Sequence, residues 1–385
     1  MSSLFPTYQR WELSAKSAKG CTLVDTNGKE YLDFVGGIAV CNLGHCHPNV
    51  VDALVKQAET LWHVSNLFQI EGQEKAASVL AEQSSGDYVF FCNSGTEANE
   101  AAIKLARKHT GKNHIISLAN SFHGRTLGSM AATGQSKIHE GFGTMLPSFT
   151  YAKLNDIQSV QEQISSETAA IMIEVVQGEG GVRSIDQTFA TQLKELCEEH
   201  ELLLIVDEVQ TGIGRTGKRF GYEHFHLSPD IITVAKGLGN GFPVGAMIGK
   251  EHLKAAFQPG SHGSTFGGNP LAMAVVNAVL ETVFDESFLA QVEEKGKKFQ
   301  GYLQEALQQS AAVKEIRSLG LITGIECHEP VAAFITKARE LGLLVLPAGP
   351  NVIRILPPLV VTEEELQQAA NILAQVVGHT TATVH

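Results

Sequence analysis

The chain has 385 residues, of which 43% are hydrophobic and 18% are charged, as expected for an ordinary globular protein. Its formal net charge of −12 argues against a nucleic-acid partner, since phosphates would be repelled without a basic stripe, and the sequence has no such stripe. The apolar runs are too short to cross a bilayer, and the first residues lack the features of a signal peptide. The six cysteines do not show the regular spacing of a disulfide framework. These features predict a cytoplasmic protein.

Residues 8–40 read as short strands with turns between them. The run 41–48 that follows holds two cysteines and two histidines. Adjacent residues rarely converge on one tetrahedral metal ion, and no second pair of ligands follows at a suitable spacing. We therefore predict no metal site here, but a turn before a helix that begins near Pro48.

Strands and helices alternate from about residue 46 to residue 274, and this alternation predicts a mostly parallel sheet between helices. The predicted strands lie at 87–92, 113–118, 168–175, 201–206 and 230–235. Beyond 275, long predicted helices surround short strands. The chain is therefore predicted to be an α/β protein with a large domain and a smaller α/β domain built from both ends of the chain. The predicted segments are 1–45 (N-terminal, packing with the small domain), 46–274 (large domain) and 275–385 (small domain).

A turn of small residues at 93–95 joins a predicted strand to a predicted helix. Ser94 and Glu97 match the capping box, in which each side chain bonds a backbone N–H at the helix start. Gly95 leaves room for an anion, and the free N–H groups and the helix dipole favour a phosphate there. Alone, this segment would be an ordinary capped helix.

Two further loops carry polar or aromatic side chains after predicted strands. In the loop 121–126, Phe122 is suited to stack on a planar ring, and Arg125 is suited to bind a carboxylate through its fork of donors. The strand at 168–175 is followed by Glu179 in a glycine-rich turn. A single arginine in a loop usually only contacts solvent, so these residues indicate a binding site only when they are taken together.

The apolar run 202–206 ends in Asp207 and is soon followed by a GxGxxG match at 212–217. A dinucleotide-binding fingerprint should open an amphipathic helix directly after its strand. No helical period follows here, and Asp207 and Glu208 would repel a pyrophosphate. We therefore reject a dinucleotide site.

Lys236 closes the next apolar run, 230–235, with a glycine-rich turn behind it. Because open α/β sheets bind ligands at the carboxyl ends of their strands, we expect Lys236 and Asp207 to face one site. In poorly solvated surroundings the pKa of an ammonium falls, and the neutral amine can form a Schiff base with an aldehyde. A lysine for the aldehyde and an aspartate for the ring nitrogen are the two polar groups that a pyridoxal phosphate (PLP) enzyme needs.

In the predicted small domain, Arg354 lies inside a strand at 351–356. It could merely point outward on an alternating strand. An arginine and an acidic loop residue, Glu179, would also suit a site that binds a carboxylate substrate.

Eight blocks follow one another along the chain: GHCHP (44–48), SGTEANEAAIKLAR (94–107), FHGRT (122–126), EVVQGEGG (174–181), DEVQTGIGRTG (207–217), AKGLGNGFPVGA (235–246), GSTFGGNPLA (263–272) and RILPPL (354–359). In sequence and order they resemble the class III, fold-type I PLP aminotransferases and, within that family, the acetylornithine aminotransferases.

The resemblance implies that PLP is the cofactor and that Lys236 binds its aldehyde and moves the proton at the substrate Cα. It implies that Asp207 pairs with the pyridine nitrogen, that Gln210 lies near the phenolic oxygen and that Phe122 stacks on the ring.

For the phosphate, the resemblance implies contacts with Gly95 and Thr96, helped by Thr265 from the other subunit of a homodimer with shared active sites. Ser264, in the same block as Thr265, is implied as a substrate-binding residue.

The implied reaction moves the δ-amino group of N2-acetyl-L-ornithine to 2-oxoglutarate, as in arginine biosynthesis. Arg125 suits the distal carboxylate of both substrates, and Arg354 suits the α-carboxylate of glutamate or 2-oxoglutarate. Glu179 would neutralise Arg354 when the amine donor is bound. Ornithine aminotransferases carry a tyrosine where Ile38 aligns, and an apolar Ile38 cannot accept a hydrogen bond from an ammonium, which favours a blocked α-nitrogen.

Several alternatives stay open at this point. Within the family they are succinylornithine, ornithine and 4-aminobutyrate aminotransferases. An aminomutase or a decarboxylase is disfavoured because the pair of Glu179 and Arg354 suits an exchange between two carboxylate substrates. In a different class, a non-catalytic PLP-binding protein is disfavoured by the presence of Lys236, Asp207 and Thr265.

Overall fold

The computed structural model describes residues 3–378 and is centred on a seven-stranded sheet. The strands in chain order are β1 (Ala15–Lys19), β2 (Thr22–Asp25), β3 (Glu30–Asp33), β4 (Tyr88–Cys92), β5 (His114–Leu118), β6 (Phe149–Ala152), β7 (Thr168–Ile173), β8 (Val176–Gln177), β9 (Arg183–Ser184), β10 (Leu203–Asp207), β11 (Ile231–Val234), β12 (Gly245–Gly249), β13 (Val313–Leu319), β14 (Ile322–Cys327), β15 (Leu343–Leu344), β16 (Leu346–Pro347) and β17 (Val352–Ile355).

The α-helices in chain order are α1 (Gly36–Ala39), α2 (Pro48–Ala58), α3 (Glu71–Glu82), α4 (Gly95–Thr110), α5 (Leu127–Ala132), α6 (Ser136–His139), α7 (Ile157–Gln161), α8 (Gln187–Glu199), α9 (Pro270–Val283), α10 (Glu286–Leu307), α11 (Ala332–Glu340) and α12 (Glu363–Val377). Short 3₁₀ turns occupy Gly221–Phe225, Lys236–Leu238 and Glu251–Ala256. Among residues 3–378 no helix is long and apolar enough to span a membrane.

The large sheet has the strand order β4-β12-β11-β10-β7-β5-β6. Strand β12 runs antiparallel to both of its neighbours, and the strands from β11 to β6 are parallel to one another. The predicted α/β fold with a mostly parallel central sheet is confirmed. Strand β12 is missing from the sequence-based prediction because its five residues form a short run with a glycine at each end.

Helices cover both faces of this sheet. On β10, Ile205 belongs to an apolar cluster that includes Leu105 of α4, whereas Val206 belongs to a second cluster that includes Leu193 of α8. Side chains alternate between the faces of a strand, so a strand covered on both sides must be apolar throughout. The unbroken run 202–206 is the sequence signature of that burial.

A second sheet, with the order β13-β14-β17-β16, forms the small domain together with helices that include α10 and α12. The N-terminal strands form a third sheet, β1-β2-β3-β15, in which Leu32 of β3 pairs with Leu343 of β15. This pairing ties the N-terminal segment to the C-terminal part of the chain. The boundaries at 45 and 274 stay predictions.

The loop at 212–217, which matches GxGxxG, joins segments of the chain through Arg215. This side chain is 1% exposed, and Nη1 donates to the carbonyl oxygens of Leu321 (3.0 Å) and Pro357 (2.5 Å). Nη2 donates to Oδ1 of Asn42 at 2.7 Å. Burial lowers the pKa of Arg215 to about 9. The guanidinium thus links this loop to the N-terminal segment and to the small domain.

Candidate active site

The carboxyl ends of several parallel strands open onto one cavity of about 370 Å³. Strand β10 ends in Asp207, and β11 leads to Lys236 two residues beyond its end. The predicted strand at 230–235 is one residue too long at each end, since β11 spans Ile231–Val234 and a 3₁₀ turn begins at Lys236. Eight predicted site residues line the cavity: Gly95, Thr96, Phe122, Arg125, Glu179, Asp207, Gln210 and Lys236.

Asp207 is 4% exposed and is held by three hydrogen bonds. Its Oδ2 accepts from Nδ2 of Asn99 and lies near Nδ1 of His123, both at 2.8 Å, and its Oδ1 accepts from the backbone N–H of Val209 at 3.0 Å. The other end of the Asn99 amide accepts from the hydroxyl of Thr233 at 2.7 Å. This network fixes the carboxylate in one orientation.

His123 and Asn99 were not predicted as site residues. Burial opposes the charged form of His123, but its hydrogen bond to Asp207 and the charge of that carboxylate outweigh burial and raise its pKa. Its second ring nitrogen, Nε2, is buried without a hydrogen-bond partner in the described part of the chain. Asn99 carried one sequence signal, because it stands among the alanines on the buried face of α4.

Lys236 has φ of +44°, in the left-handed region that side chains other than glycine rarely adopt. Its Nζ makes no hydrogen bond to any residue between 3 and 378. Burial lowers the pKa of Lys236, and Glu179 opposes this shift, while Arg354 adds to it. The next residue must be glycine, because a Cβ at Gly237 would lie 2.3 Å from Nδ2 of Asn42. Lys236 therefore stands on a tightly packed backbone with its amine available to a ligand.

Glu174, the residue after β7, also lines the cavity. It is 6% exposed, and its Oε2 accepts from the backbone N–H of Phe122 at 2.9 Å. Burial raises the pKa of Glu174 to about 7, although the nearby His123 opposes this shift. Its role was not predicted, and the only signal was its place at a strand end.

The start of α4 differs from the predicted capping box. Oγ of Ser94 accepts from the backbone N–H of Glu97 at 3.3 Å, as predicted, but Glu97 bonds the backbone N–H of Asn93 at 2.8 Å rather than that of Ser94. A Cβ at Gly95 would lie 2.7 Å from Cγ1 of Val209. Glycine is therefore required at this position for close packing, in addition to any space it leaves for an anion.

Thr96 lies in a cluster of hydroxyl groups beside this helix start. Its Oγ1 is 2.6 Å from Oγ of Ser129 and 2.8 Å from Oγ1 of Thr126. Gly124 has φ of +139°, and a Cβ there would lie 2.3 Å from Oγ1 of Thr96. Thr96 and the start of α4 line the cavity, and the N–H groups at a helix start favour a phosphate.

Arg354 and Glu179 form an ion pair with 2.6 Å between Nη1 and Oε1. Arg354 is 2% exposed, and Nη1 also donates to Oε1 of Gln210 at 3.2 Å. Its Nε is buried without a hydrogen-bond partner in the described residues. Gln210 thus bonds the arginine and also lines the cavity.

Arg125 is exposed at the mouth of the cavity, and its guanidinium lies 5.7 Å from the centre of the Phe122 ring. Ile38 has φ of +67° and is 39% exposed. It does not line the cavity within this chain, whereas Val40, two residues further on, does.

Ser264 and Thr265 are not brought together with Lys236 within this chain. They lie on a partly exposed loop outside the cavity, and Thr265 is exposed. Oγ of Ser264 accepts from Nδ2 of Asn93 at 3.2 Å, and Asn93 does line the cavity. The loop is therefore next to the site but does not complete it.

The residues of the cavity fit PLP. Lys236 offers a buried amine that makes no hydrogen bond within residues 3–378, and Asp207 is a buried carboxylate fixed by neighbouring donors. Phe122 supplies an aromatic ring, and the start of α4 supplies N–H groups for a phosphate.

Comparisons with known proteins agree with this arrangement. The family model described as aminotransferase class-III matches residues 6–377. The chain is 58% identical to the acetylornithine aminotransferase of Bacillus subtilis (strain 168), over 99% of each chain. It is 60% identical to the acetylornithine aminotransferase of Halalkalibacterium halodurans, over 100% of each chain.

Solved structures of similar proteins show the same fold. The ornithine aminotransferase of Toxoplasma gondii ME49 has a TM-score of 0.93 and 33% identity, covering 97% of this chain and 92% of its own. The N-acetylornithine aminotransferase of Stenotrophomonas maltophilia K279a has a TM-score of 0.84 and 34% identity, covering 96% and 97%. The chain therefore belongs to the class-III aminotransferases, a family of PLP-dependent enzymes.

Proposed function

We propose that this enzyme moves the δ-amino group of N2-acetyl-L-ornithine to 2-oxoglutarate, giving N-acetylglutamate 5-semialdehyde and glutamate in arginine biosynthesis. The observation that carries the proposal is the ion pair between Glu179 and Arg354 beside the cavity. The identity of 58–60% to acetylornithine aminotransferases supports the choice of substrate. When bound, PLP supplies an aldehyde that takes up the amino group and a ring that accepts electrons.

Lys236 and Asp207 are assigned the chemical roles. The lowered pKa of Lys236 favours a neutral amine, which can hold the cofactor and then move a proton at the carbon that bears the amino group. Asp207 would hold the ring nitrogen in its protonated form, and Asn99 and His123 keep that carboxylate in place. Phe122 would stack on the ring, and Gly95 and Thr96 would hold the phosphate.

Glu179 and Arg354 are assigned the role of letting one site accept both substrates in turn. Glutamate and 2-oxoglutarate carry an α-carboxylate that competes with Glu179 for Arg354. The δ-amine end of acetylornithine carries no carboxylate, so Glu179 stays on Arg354 and neutralises it. A buried guanidinium without a negative partner would be costly, which is why the pair must reform. Arg125 would bind the distal carboxylate of both substrates, and Gln210 would lie near the phenolic oxygen.

The site is assigned to a homodimer in the cytoplasm. Thr265 lies outside the cavity of its own chain, so we place it at the phosphate of the other subunit, with Ser264 next to the substrate. Exposed apolar side chains, including Leu67 (91% exposed) and Phe266 (60% exposed), suit a subunit interface. Full activity of a species that sedimentation velocity shows to be a monomer would contradict this assignment.

The pair of Glu179 and Arg354 is tested by separating the two half-reactions. Arg354→Ala is expected to slow the reaction with glutamate and 2-oxoglutarate by roughly 30- to 1,000-fold in kcat/KM, since a lost buried charge contact costs about 2–4 kcal/mol. Acetylornithine should be largely spared, because its carboxylate goes to Arg125. Glu179→Ala is expected to favour glutamate relative to acetylornithine.

Single-turnover changes in cofactor absorbance measure each half-reaction directly. Arg125→Ala serves as the comparison, because it is expected to slow both half-reactions. Equal slowing of both substrates by Arg354→Ala would show that Arg354 is structural and that the exchange does not occur.

A further inference from the structure

The turn that carries Glu179 has an unusual backbone. It joins β8 to β9 and contains Gly181 at φ of +100° and Val182 at φ of +52°. A β-branched residue in the left-handed region is a genuine outlier, which costs free energy and persists only where surrounding contacts impose it. The contacts that impose it here come from the small domain.

Arg317 on β13 binds this turn through two backbone carbonyl groups. Its Nη2 donates to the oxygen of Gly181 at 2.7 Å, and its Nε donates to the oxygen of Val182 at 3.2 Å. Its Nη1 is paired with the carboxylates of Glu326, at 2.5 Å, and Glu315. One planar guanidinium therefore holds both residues of the strained turn, and its own position is fixed by the buried carboxylate of Glu326.

The small sheet is also shaped to receive the turn. Arg317, Gly324 and Arg354 stand opposite one another on the adjacent strands β13, β14 and β17. A Cβ at Gly324 would lie 2.8 Å from Cβ of Val182, so the absence of a side chain there lets Val182 sit on the sheet. The turn therefore packs over the paired residues Arg317, Gly324 and Arg354 of the small sheet.

A second ion pair reinforces this docking from the other end of the turn. Nη2 of Arg183, the first residue of β9, lies 2.9 Å from Oε2 of Glu326. Three contacts thus converge on residues 181–183, and Glu179 lies only two residues before Gly181. The position of its carboxylate relative to Arg354 therefore depends on a turn that cannot relax by itself.

We propose that Arg317 is a positioning residue that sets the preference between the two substrates. By holding the carbonyl groups of Gly181 and Val182, it keeps Glu179 against Arg354 and limits how easily an incoming α-carboxylate displaces it. The inference rests on the proposed exchange at Glu179 and Arg354. Arg317 touches neither substrate and acts only through the turn.

Arg317→Met removes both hydrogen bonds to the turn and keeps a long side chain. We expect it to act as a weaker form of Glu179→Ala, raising the ratio of the glutamate rate to the acetylornithine rate by roughly 3- to 10-fold in single-turnover experiments. This range assumes that losing the two bonds weakens the hold on Glu179 by about the net contribution of one hydrogen bond. Arg317→Lys, which has one donor atom, should have a smaller effect.

Binding of glutarate, a dicarboxylate that cannot react, gives a readout independent of turnover. We expect glutarate to bind the PLP-loaded Arg317→Met enzyme more tightly than the wild type, because Glu179 competes less well for Arg354. Glu315→Ala is the matched control: it removes an exposed partner of Arg317 but no contact with the turn, so both the ratio and glutarate binding should stay unchanged.

The double variant Glu179→Ala with Arg317→Met distinguishes positioning from general structural damage. If Arg317 acts through Glu179, its replacement should have no further effect on the ratio once Glu179 is gone. Equal slowing of both half-reactions, or the same ratio change in both backgrounds, would overturn the inference. A normal ratio in Arg317→Met, beside an altered one in Glu179→Ala, would overturn it and leave the proposed exchange intact. A normal ratio in Glu179→Ala would overturn the exchange itself.

Discussion

Lys236→Ala is expected to reduce kcat by on the order of 10⁴-fold, the upper end of what loss of a general acid–base group causes. The expected loss is this large because one amine both holds the cofactor and moves the proton. Binding of PLP itself should persist, since the start of α4, Asp207 and Phe122 remain. The measurements are kcat and the PLP content after dialysis.

Two further observations make this prediction specific to Lys236. Borohydride treatment of the wild type should leave a stable pyridoxyl group that peptide mapping places on Lys236. Lys194→Ala is the matched control, because Lys194 is exposed on α8, does not line the cavity and should not affect turnover. A pyridoxyl group on another lysine would refute the assignment of the site.

Asp207→Asn is expected to lower kcat by roughly 10²- to 10³-fold with little change in KM, because the charge that keeps the ring nitrogen protonated acts mainly in the transition state. The structure adds a second reason. Both carboxylate oxygens of Asp207 accept hydrogen bonds, so an amide must turn its NH₂ group toward the donors Asn99 and His123 or toward Val209.

Asn99→Ser serves as the control for this variant, because it removes a neutral hydrogen bond from the same network and keeps the negative charge. We expect Asn99→Ser to lower kcat less than Asp207→Asn does. If Asp207→Asn changed KM strongly and kcat only mildly, Asp207 would have a role in binding rather than in stabilising charge.

The strand ends that carry Asp207 and Lys236 could be predicted from sequence because each follows an apolar run that must be buried on both faces. Parallel strands end at one edge of the sheet, so two such residues are expected to meet there. The predicted strand positions agree with β10 and β11 to within about two residues. The antiparallel β12 between β11 and β4 gave no comparable signal.

The residues that orient Asp207 could not be predicted in the same way. His123 lies in a loop and Asn99 in a helix, and their meeting at one carboxylate depends on how α4 packs against the sheet. The linking role of Arg215 could not be predicted for a different reason, because the glycine-rich sequence around it resembles a phosphate-binding loop. Only the tertiary structure shows its guanidinium bound to carbonyl oxygens of distant segments.

The most direct test of the proposed function compares initial rates of the wild-type enzyme with four amine donors at fixed 2-oxoglutarate. The donors are N-acetylornithine, N-succinylornithine, ornithine and 4-aminobutyrate. We expect kcat/KM for N-acetylornithine to exceed that for ornithine by at least about 5-fold, because an α-ammonium group left without an acceptor costs about 1–3 kcal/mol. We also expect it to exceed kcat/KM for 4-aminobutyrate, which lacks the acetamido group and is one carbon shorter between its amine and its carboxylate. An equal or higher kcat/KM for ornithine or 4-aminobutyrate would contradict the proposed function, and a higher value for N-succinylornithine would contradict the choice of acyl group.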